Sequence, residues 1–146
     1  MKFPIDKVAE IIAKREHEGQ TRWNKSIPYI VHPERIAKTQ IGEDLKAAAW
    51  LHDVVEDTDV TLDKLRAEIE QFSGAGDSLD LVIGLVDALT RRKKQGETYF
   101  EFLMRIREHG DDAIDLKIAD IKDNLHDLEK GNLRDKYELA LFVLSI

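Results

Sequence analysis

The segment "WLHDVVEDT", residues 50–58, places one histidine and three acidic residues among apolar side chains: His52, Asp53, Glu56 and Asp57. On a helix, residues four apart share a face, so we expect these four side chains to form two adjacent columns. Acidic groups placed this close repel each other and are hard to keep ionised in a partly apolar setting. A bound cation removes that difficulty. Imidazole nitrogen together with carboxylate oxygen suits a divalent first-row metal ion that keeps open positions for water.

Two other places in the sequence favour this metal hypothesis. His32 stands at the start of a predicted helix in "PYIVHP", and Asp120 lies inside the apolar helical run "LKIADIKDNL". A buried carboxylate needs a partner, which is either a metal ion or a salt bridge from Lys117 or Lys122. An isolated His-Asp pair is more often a capped histidine beside a solvated helix end, and a lone histidine before a helix is more often structural.

Length and composition bound the class of protein. The chain has 146 residues, of which 42% are hydrophobic and 35% charged, as expected for one soluble domain with a real core. No apolar run approaches the roughly 20 residues that span a bilayer, and the N-terminus turns polar too early for a signal peptide. We therefore expect a cytoplasmic protein without a membrane partner. The absence of cysteine excludes disulfides, thiolate metal sites and a cysteine nucleophile.

Charge argues against a nucleic-acid polymer as partner. The net charge of −7 disfavours binding to a phosphate backbone, which attracts basic surfaces. The one dense basic run is "RRKK", residues 91–94. Such a run is commonly a solvated loop. Within an acidic protein it also fits contact with a small phosphorylated ligand.

Helical periodicity dominates the chain, and no convincing alternating strand is longer than a few residues. The sequence therefore predicts an all-α, single-domain helical bundle with short loops. Caps, glycines and apolar spacing place the helices at about residues 5–17, after Pro33, at 43–55, from an N-cap at Thr61 to Phe72, at 79–89, from a capping box at Thr98 and Glu101 to Gly110, at 112–129, and from Asp135 to the end.

The candidate metal-binding residues, taken in chain order, resemble the H…HD…D pattern of the HD-domain metal-dependent phosphohydrolases: His32, His52, Asp53 and Asp120. The segments "HEGQTR…PYIVHPERIA", "AAAWLHDVVEDT" and "LKIADIKDNLHDL" together resemble the hydrolase domain of RelA/SpoT-type alarmone enzymes. The resemblance is collinear and covers nearly the whole chain. It implies a single HD hydrolase domain over residues 1–146. We expect no synthetase domain, as in the small stand-alone alarmone hydrolases, which the chain resembles.

The resemblance also implies a reaction. The four residues of the H…HD…D pattern would ligate a divalent metal ion, most often manganese in this family. Glu56 and Asp57, a pair found in the hydrolytic members, would be catalytic by activating or orienting the attacking water. The metal ion would lower the pKa of that water and neutralise charge on the departing pyrophosphate. The chain is then expected to be an enzyme that removes the 3′-pyrophosphate of guanosine tetraphosphate or pentaphosphate.

Substrate binding is implied for Arg22, Lys25 and Asn124. Arg22 matches the arginine that lies against the guanine base, consistent with a guanidinium stacking on a planar ring. Asn124 matches an asparagine near the nucleoside. After Arg22 the family continues Lys-Ser-Gly-Glu-Pro-Tyr, whereas this chain has the longer "WNKSIPY". Trp23 stands where a basic residue is expected, and Lys25 is the candidate replacement.

Two more departures, Ile121 and Asp123, lie in the distal segment, where many family members carry a basic residue and a His or Tyr, respectively. They leave the nucleotide open, so an adenosine alarmone, NADPH or a nucleoside monophosphate is an alternative substrate. A non-catalytic alarmone-binding module and a plain helical interaction domain are alternatives of other classes. The oligomeric state is open, with a homodimer as one option for the apolar tail "ALFVLSI".

Overall fold

Nine α-helices and one short 3-10 turn build the computed structural model, which describes residues 2–23 and 26–146. In these ranges the only extended pairing is an isolated bridge between Thr21 and Pro28, so the predicted all-α class is confirmed. The 3-10 turn covers Lys93–Gln95. The α-helices are α1 (Ile5–Glu16), α2 (Val31–Thr39), α3 (Glu43–Leu51), α4 (Val54–Asp57), α5 (Leu62–Ser73), α6 (Asp77–Leu89), α7 (Tyr99–His109), α8 (Asp111–His126) and α9 (Asn132–Ser145).

Helix starts that carry a capping signal lie where the sequence predicts them. The Thr61 hydroxyl accepts the Lys64 backbone N–H at 3.2 Å. At the start of α7, Thr98 and Glu101 form the predicted capping box, in which each side chain accepts the other's backbone N–H at 3.1 and 2.9 Å. Gly110, with φ of +123°, separates α7 from α8 as predicted. These local signals satisfy the free N–H groups of the first helical turn.

The prediction of one continuous helix over 43–55 is wrong. The first helix ends at Leu51, and α4 begins only at Val54. The Nδ1–H of His52 donates to the Ala49 carbonyl at 2.6 Å, which is the carbonyl that a continuing helix would offer to the N–H of Asp53. Asp53 itself has φ of −109° and ψ of −1°, outside regular helix values. The two predicted columns therefore do not form a regular helical face.

Other boundaries shift by a few residues. The second helix begins at Val31, so Pro33 is its third residue instead of preceding it. This position lies in the first turn, where a missing N–H costs no hydrogen bond. The last helix begins at Asn132, three residues before the predicted start. None of the helices in the described ranges is long and apolar enough to cross a membrane.

The core is centred on α3, which contacts α1, α2, α6 and α8. Its residues Ala47, Ala48 and Ala49 are fully buried, and such small side chains allow close helix packing. The apolar helix α6 contributes buried leucine, isoleucine and valine side chains, as its sequence predicts. In α8, Leu116 and Ile121 are buried on either side of Asp120. This packing fixes the positions from which α2, the α3–α4 turn and α8 face one another.

Glu97 and Arg105, together with the backbone carbonyls that Arg105 reaches, form what we call the loop clamp. Arg105 binds both carboxylate oxygens of Glu97, at 2.8 and 3.0 Å. It also donates to the carbonyls of Asp87 and Thr90 at 3.2 and 2.9 Å. The hydrogen bonds from Arg105 lower the pKa of Glu97 to about 2. The clamp holds the basic loop between α6 and α7 in place.

Candidate metal centre and active site

The residues predicted as metal ligands come together from three parts of the chain. His32 comes from α2, His52 and Asp53 from the turn between α3 and α4, and Asp120 from α8. One nitrogen or oxygen atom of each lies within 4.8 Å of those of the others. We call these four residues the His-Asp cluster. All are buried except Asp53, which is partly exposed.

The Nε2 atoms of both imidazoles face the carboxylates. His52 Nε2 lies 2.9 Å from Asp53 Oδ2 and 3.3 Å from Asp120 Oδ1. His32 Nε2 lies 2.8 Å from the same Asp120 oxygen and 3.6 Å from Asp53 Oδ2. The Nδ1 atoms are bound on the outer side, by the Ala49 carbonyl for His52 and by a carboxylate of α8 for His32. Each ring is therefore fixed by the hydrogen bond at its Nδ1 atom, with Nε2 directed into the cluster.

The cluster attracts positive charge. Burial alone would lower the pKa of His32 and His52, but the surrounding carboxylates outweigh it and both values are raised. Burial alone would raise the pKa of Asp53 and Asp120, yet neighbouring positive charges lower both, chiefly His52 for Asp53 and Lys117 for Asp120. Two imidazole nitrogens and two carboxylate oxygens fit the coordination chemistry of a divalent first-row ion. Such an ion would compete with protons for the same atoms.

Asp120 forms one of the salt bridges that the sequence left open as an alternative to a metal ion. Its Oδ2 atom lies 2.8 Å from Lys117 Nζ, the salt bridge that competes with the metal explanation. Its Oδ1 atom instead faces the two histidines. Lys122, the other candidate partner, is exposed. The lysine thus satisfies one carboxylate oxygen and leaves the other directed into the cluster.

Asp57, one of the two predicted catalytic acids, is linked to the cluster through Tyr29. The Tyr29 hydroxyl donates a short hydrogen bond to Asp53 Oδ2 and lies 3.3 Å from Asp57 Oδ2. Desolvation of the carboxyl group, together with the negative charges of Asp53 and Glu56, raises the pKa of Asp57 to about 6. This acid is therefore poised to exchange a proton near neutral pH.

Glu56, the other predicted catalytic acid, is held by the basic loop. Its Oε1 atom accepts the Arg91 backbone N–H at 2.8 Å, and its Oε2 atom lies 3.8 Å from Lys93 Nζ. The structure therefore places Glu56 and Asp57 at the same cavity but gives them different partners.

A cavity of about 270 Å³ connects these groups. A wider concavity of about 410 Å³ lies on the outer side of α2 and α8, but neither cluster carboxylate lines it. The chemistry of its lining, and not its size, identifies the smaller cavity as the candidate site. Its lining includes residues from each predicted class: Asp53, Asp120, Glu56, Asp57, Arg22 and Asn124.

Arg22 and Asn124 reach the cavity, whereas Lys25 lies outside the described residues. The Arg22 side chain is only 2% exposed. Its Nη1 atom lies 3.0 Å from Asp123 Oδ2, and its Nη2 atom lies 3.3 Å from Asn124 Oδ1. The ring of Trp23 lies 4.9 Å from the guanidinium carbon. Contact of Arg22 with a base stays a prediction.

Sequence reasoning missed Tyr29 and the role of Asp123. Tyr29 precedes His32 by three residues in the quoted "PYIVHP", so the two lie about one turn apart. Asp123 follows Asp120 by three residues on α8, which places both on one face of that helix. Spacing was therefore the available signal in both cases, although it does not reveal contacts between helices.

The chain is similar to part of several curated bacterial proteins and to one solved structure. No protein-family model matches the chain. It is 33% identical over 143 residues to a Vibrio cholerae protein named guanosine-3′,5′-bis(diphosphate) 3′-pyrophosphohydrolase, covering 93% of this chain and 20% of the relative. It is 34% identical over 135 residues to the Escherichia coli protein named bifunctional (p)ppGpp synthase/hydrolase SpoT, covering 86% and 18%. The chain thus spans about a fifth of the length of these curated relatives.

A solved structure shares the fold. The chain superposes with a TM-score of 0.74 and 24% identity on a protein described as a metazoan ortholog of SpoT that hydrolyzes ppGpp and plays a role in starvation responses. The match covers 99% of this chain and 85% of the other. The helical bundle described above is therefore a known architecture.

Proposed function

We propose that residues 1–146 form one hydrolase domain that removes the 3′-pyrophosphate of guanosine tetraphosphate or pentaphosphate with the help of a divalent metal ion. The observation that carries this proposal is the convergence of the His-Asp cluster at a cavity that also holds Glu56 and Asp57. The names of the similar bacterial proteins support the reaction and the substrate.

Manganese is the proposed ion, to be held by the two imidazole Nε2 atoms and by oxygens of Asp53 and Asp120. A donor set of two nitrogens and two carboxylate oxygens favours a divalent first-row ion over magnesium or calcium, which prefer oxygen ligands. When bound, such an ion supplies Lewis-acid chemistry that favours ionisation of water and neutralises charge on a departing pyrophosphate.

The acids beside the cluster have separate roles in this proposal. Asp57 shares the Tyr29 hydroxyl with Asp53, so it lies next to the cluster and is placed to orient the attacking water and accept its proton. Glu56 lies on the side of the basic loop, where the Arg91 N–H fixes its carboxylate. From there it orients the water towards the phosphate.

Basic side chains around the cavity favour a polyphosphate substrate. Lys117 lines the cavity, and Lys93 lies beside Glu56 on its rim. Lys136 and Arg91 both lie over the ring of Tyr99, at 4.1 and 5.6 Å. Burial, followed by the nearby charges of Arg91, Lys93 and Lys117, lowers the pKa of Lys136. These positive groups are therefore close enough to repel one another, and bound phosphates would relieve that repulsion.

A nucleotide panel with Mn²⁺ and with a chelator tests the proposal. We expect Mn²⁺-dependent release of pyrophosphate from guanosine tetraphosphate and no release in chelator. Equal turnover of an adenosine alarmone, or phosphate release from NADPH or a nucleoside monophosphate, would replace the substrate but keep the chemistry. Binding of guanosine tetraphosphate without turnover would favour a non-catalytic module. No 3′-directed activity on any nucleotide would reject the proposal.

A further inference from the structure

Asp123 touches the His-Asp cluster from outside the cavity. Its Oδ2 atom lies 2.7 Å from Nδ1 of His32, the ring nitrogen that faces away from the cluster. His32 is 1% exposed, so water does not compete for this hydrogen bond. An ionised carboxylate can only accept, and therefore the proton of this bond belongs to Nδ1.

The same carboxylate is fixed by two arginines from other parts of the chain. Arg22 Nη1 lies 3.0 Å from Asp123 Oδ2, and Arg35 Nη1 lies 3.6 Å from Oδ1. Arg22 is itself buried, and its remaining nitrogens face α8, with Nη2 at 3.3 Å from Asn124 and Nε at 3.3 Å from Asp127. The guanidinium thus holds the carboxylate in one orientation.

We propose that Asp123 is a positioning residue that fixes His32 with Nε2 directed at the metal ion, and that Arg22 acts through Asp123 by holding its carboxylate. The inference rests on the proposed function, since it assigns the contact a role towards the bound ion. His32 and His52 then receive the same support from different groups, because a backbone carbonyl takes the Nδ1 proton of His52. Of the two supports, only the carboxylate can be removed by substitution.

Partners of this kind commonly hold the ring of a metal-ligating histidine, and their loss weakens metal affinity by roughly 10- to 100-fold. A carboxylate partner also makes the imidazole a stronger electron-pair donor. Arg22 therefore has a structural task even when no base lies against it.

The test is calorimetric titration of chelator-treated protein with Mn²⁺ alone, which needs no nucleotide. Asp123→Asn preserves shape but removes the negative charge that strengthens the hydrogen bond from His32 Nδ1 and the pairing with Arg22, and we expect Mn²⁺ affinity to fall by roughly 10- to 100-fold. Arg22→Gln is expected to give a smaller loss. The double variant should lose no more than Asp123→Asn alone, because both substitutions act on one contact.

Asp127→Asn is the matched control. It removes the same charge beside the same arginine, at 3.3 Å from Arg22 Nε, without touching His32. Its Mn²⁺ affinity should equal that of the unchanged protein. Far-UV circular dichroism and thermal melting establish that each variant is folded, and Asp123→Glu serves as the second variant if Asp123→Asn unfolds. Asp123→Glu keeps the charge but moves it, so an intermediate loss of affinity is expected.

The kinetic signature separates positioning from substrate binding. For Asp123→Asn, the Mn²⁺ concentration that gives half-maximal activity should rise while KM for the nucleotide at saturating Mn²⁺ stays unchanged. Mn²⁺ affinity equal to that of the unchanged protein, or a raised KM alone, would overturn the inference. Normal Mn²⁺ binding without hydrolysis of any nucleotide would instead overturn the proposed function and leave this inference standing. No Mn²⁺ binding by the unchanged protein would overturn both.

Discussion

The His-Asp cluster and the loop clamp both gather charged side chains into a small volume, but they balance charge in different ways. In the clamp, one carboxylate meets one guanidinium, and both oxygens of Glu97 accept hydrogen bonds from Arg105. Other N–H groups of that arginine bind backbone carbonyls. In the cluster, two imidazoles already use their outer nitrogens, and Nε2 atoms and carboxylate oxygens converge within 4.8 Å.

The difference separates a structural ion pair from a site that requires a cation. The charges of the clamp complete each other, so its contribution is stability and needs no ligand. The electron-pair donors of the cluster face one another, which is favourable only with positive charge between them, as protons on the imidazoles or as a metal ion. Substitutions in the cluster should therefore change metal binding, whereas substitutions in the clamp should change stability and leave metal binding unchanged.

Asp53→Ala should have the largest effect. This residue lies at the partly exposed side of the cluster, and its ion pairs within the described residues are with the two histidines, so its loss leaves no lysine unpaired. We expect Mn²⁺-dependent hydrolysis to fall by more than the roughly 100-fold that loss of a supporting partner of a metal ligand costs. Pyrophosphate release is the measurement, and Asp59→Ala, at an exposed acid just after α4, is the control. Full activity in Asp53→Ala would show that the cluster does not need this carboxylate to hold a cation.

Glu56→Gln should give the next largest effect, of a different kind. Glutamine can still accept the Arg91 N–H that Glu56 accepts at 2.8 Å, so the loop contact is preserved while the charge is lost. We expect kcat to fall by about 100-fold or more, with unchanged Mn²⁺ affinity. Steady-state kinetics together with calorimetry provide both numbers. A loss of Mn²⁺ affinity would place Glu56 among the metal ligands and contradict its assigned role.

Glu97→Gln should lower stability without changing Mn²⁺ binding. Removing the charge weakens the paired hydrogen bonds to Arg105, and we expect the free energy of unfolding to drop by about 1.5 kcal/mol. Urea denaturation at neutral pH measures this change, with Glu108→Gln, an exposed glutamate of α7, the helix that carries Arg105, as control. Mn²⁺ affinity should be unchanged. If it falls together with stability, the two regions are not independent.

The smallest effect is the pH dependence of that stability difference. The pKa of Glu97 falls from its ordinary 4.5 to about 2 in the folded chain. A carboxylate whose pKa is lower in the folded state stabilises fully above its unfolded value and loses that contribution as the pH falls through the folded value. The difference in unfolding free energy between the unchanged protein and Glu97→Gln should therefore be constant above about pH 4.5 and shrink towards pH 2. A difference that grows on acidification would contradict the assigned ion pair.

Local sequence signals predicted much of this molecule because they act within one turn. The N-cap at Thr61 and the capping box at Thr98 depend only on residues three positions away. The break between α3 and α4 could not be predicted in this way. It depends on the hydrogen bond from the His52 ring to the Ala49 carbonyl, which competes with the helical hydrogen bond from Asp53 N–H. The ring makes this bond where it is buried against the other cluster residues.

In the candidate site, too, local features were predictable and long-range contacts were not. Residue type and apolar surroundings drew attention to the cluster positions, and the resemblance to HD-domain phosphohydrolases implied the full ligand set, whose residues the structure brings together. The contacts that hold them were not predictable, because they join distant segments. The bond from His32 to Asp123 spans 91 positions and that from Arg22 to Asp123 spans 101. Both depend on how α2 and the segment after α1 pack against α8, which residue spacing does not specify.

Titration of Mn²⁺ into the chelator-treated chain and into Asp120→Asn tests whether the His-Asp cluster binds a divalent metal ion. Asp120 is the residue whose Oδ1 atom faces both histidines, so it should be indispensable for holding the ion. We expect equimolar Mn²⁺ binding by the unchanged chain and no measurable binding by a folded Asp120→Asn variant. Absence of binding in the unchanged chain, or equal affinity in the two proteins, would contradict metal binding by the His-Asp cluster.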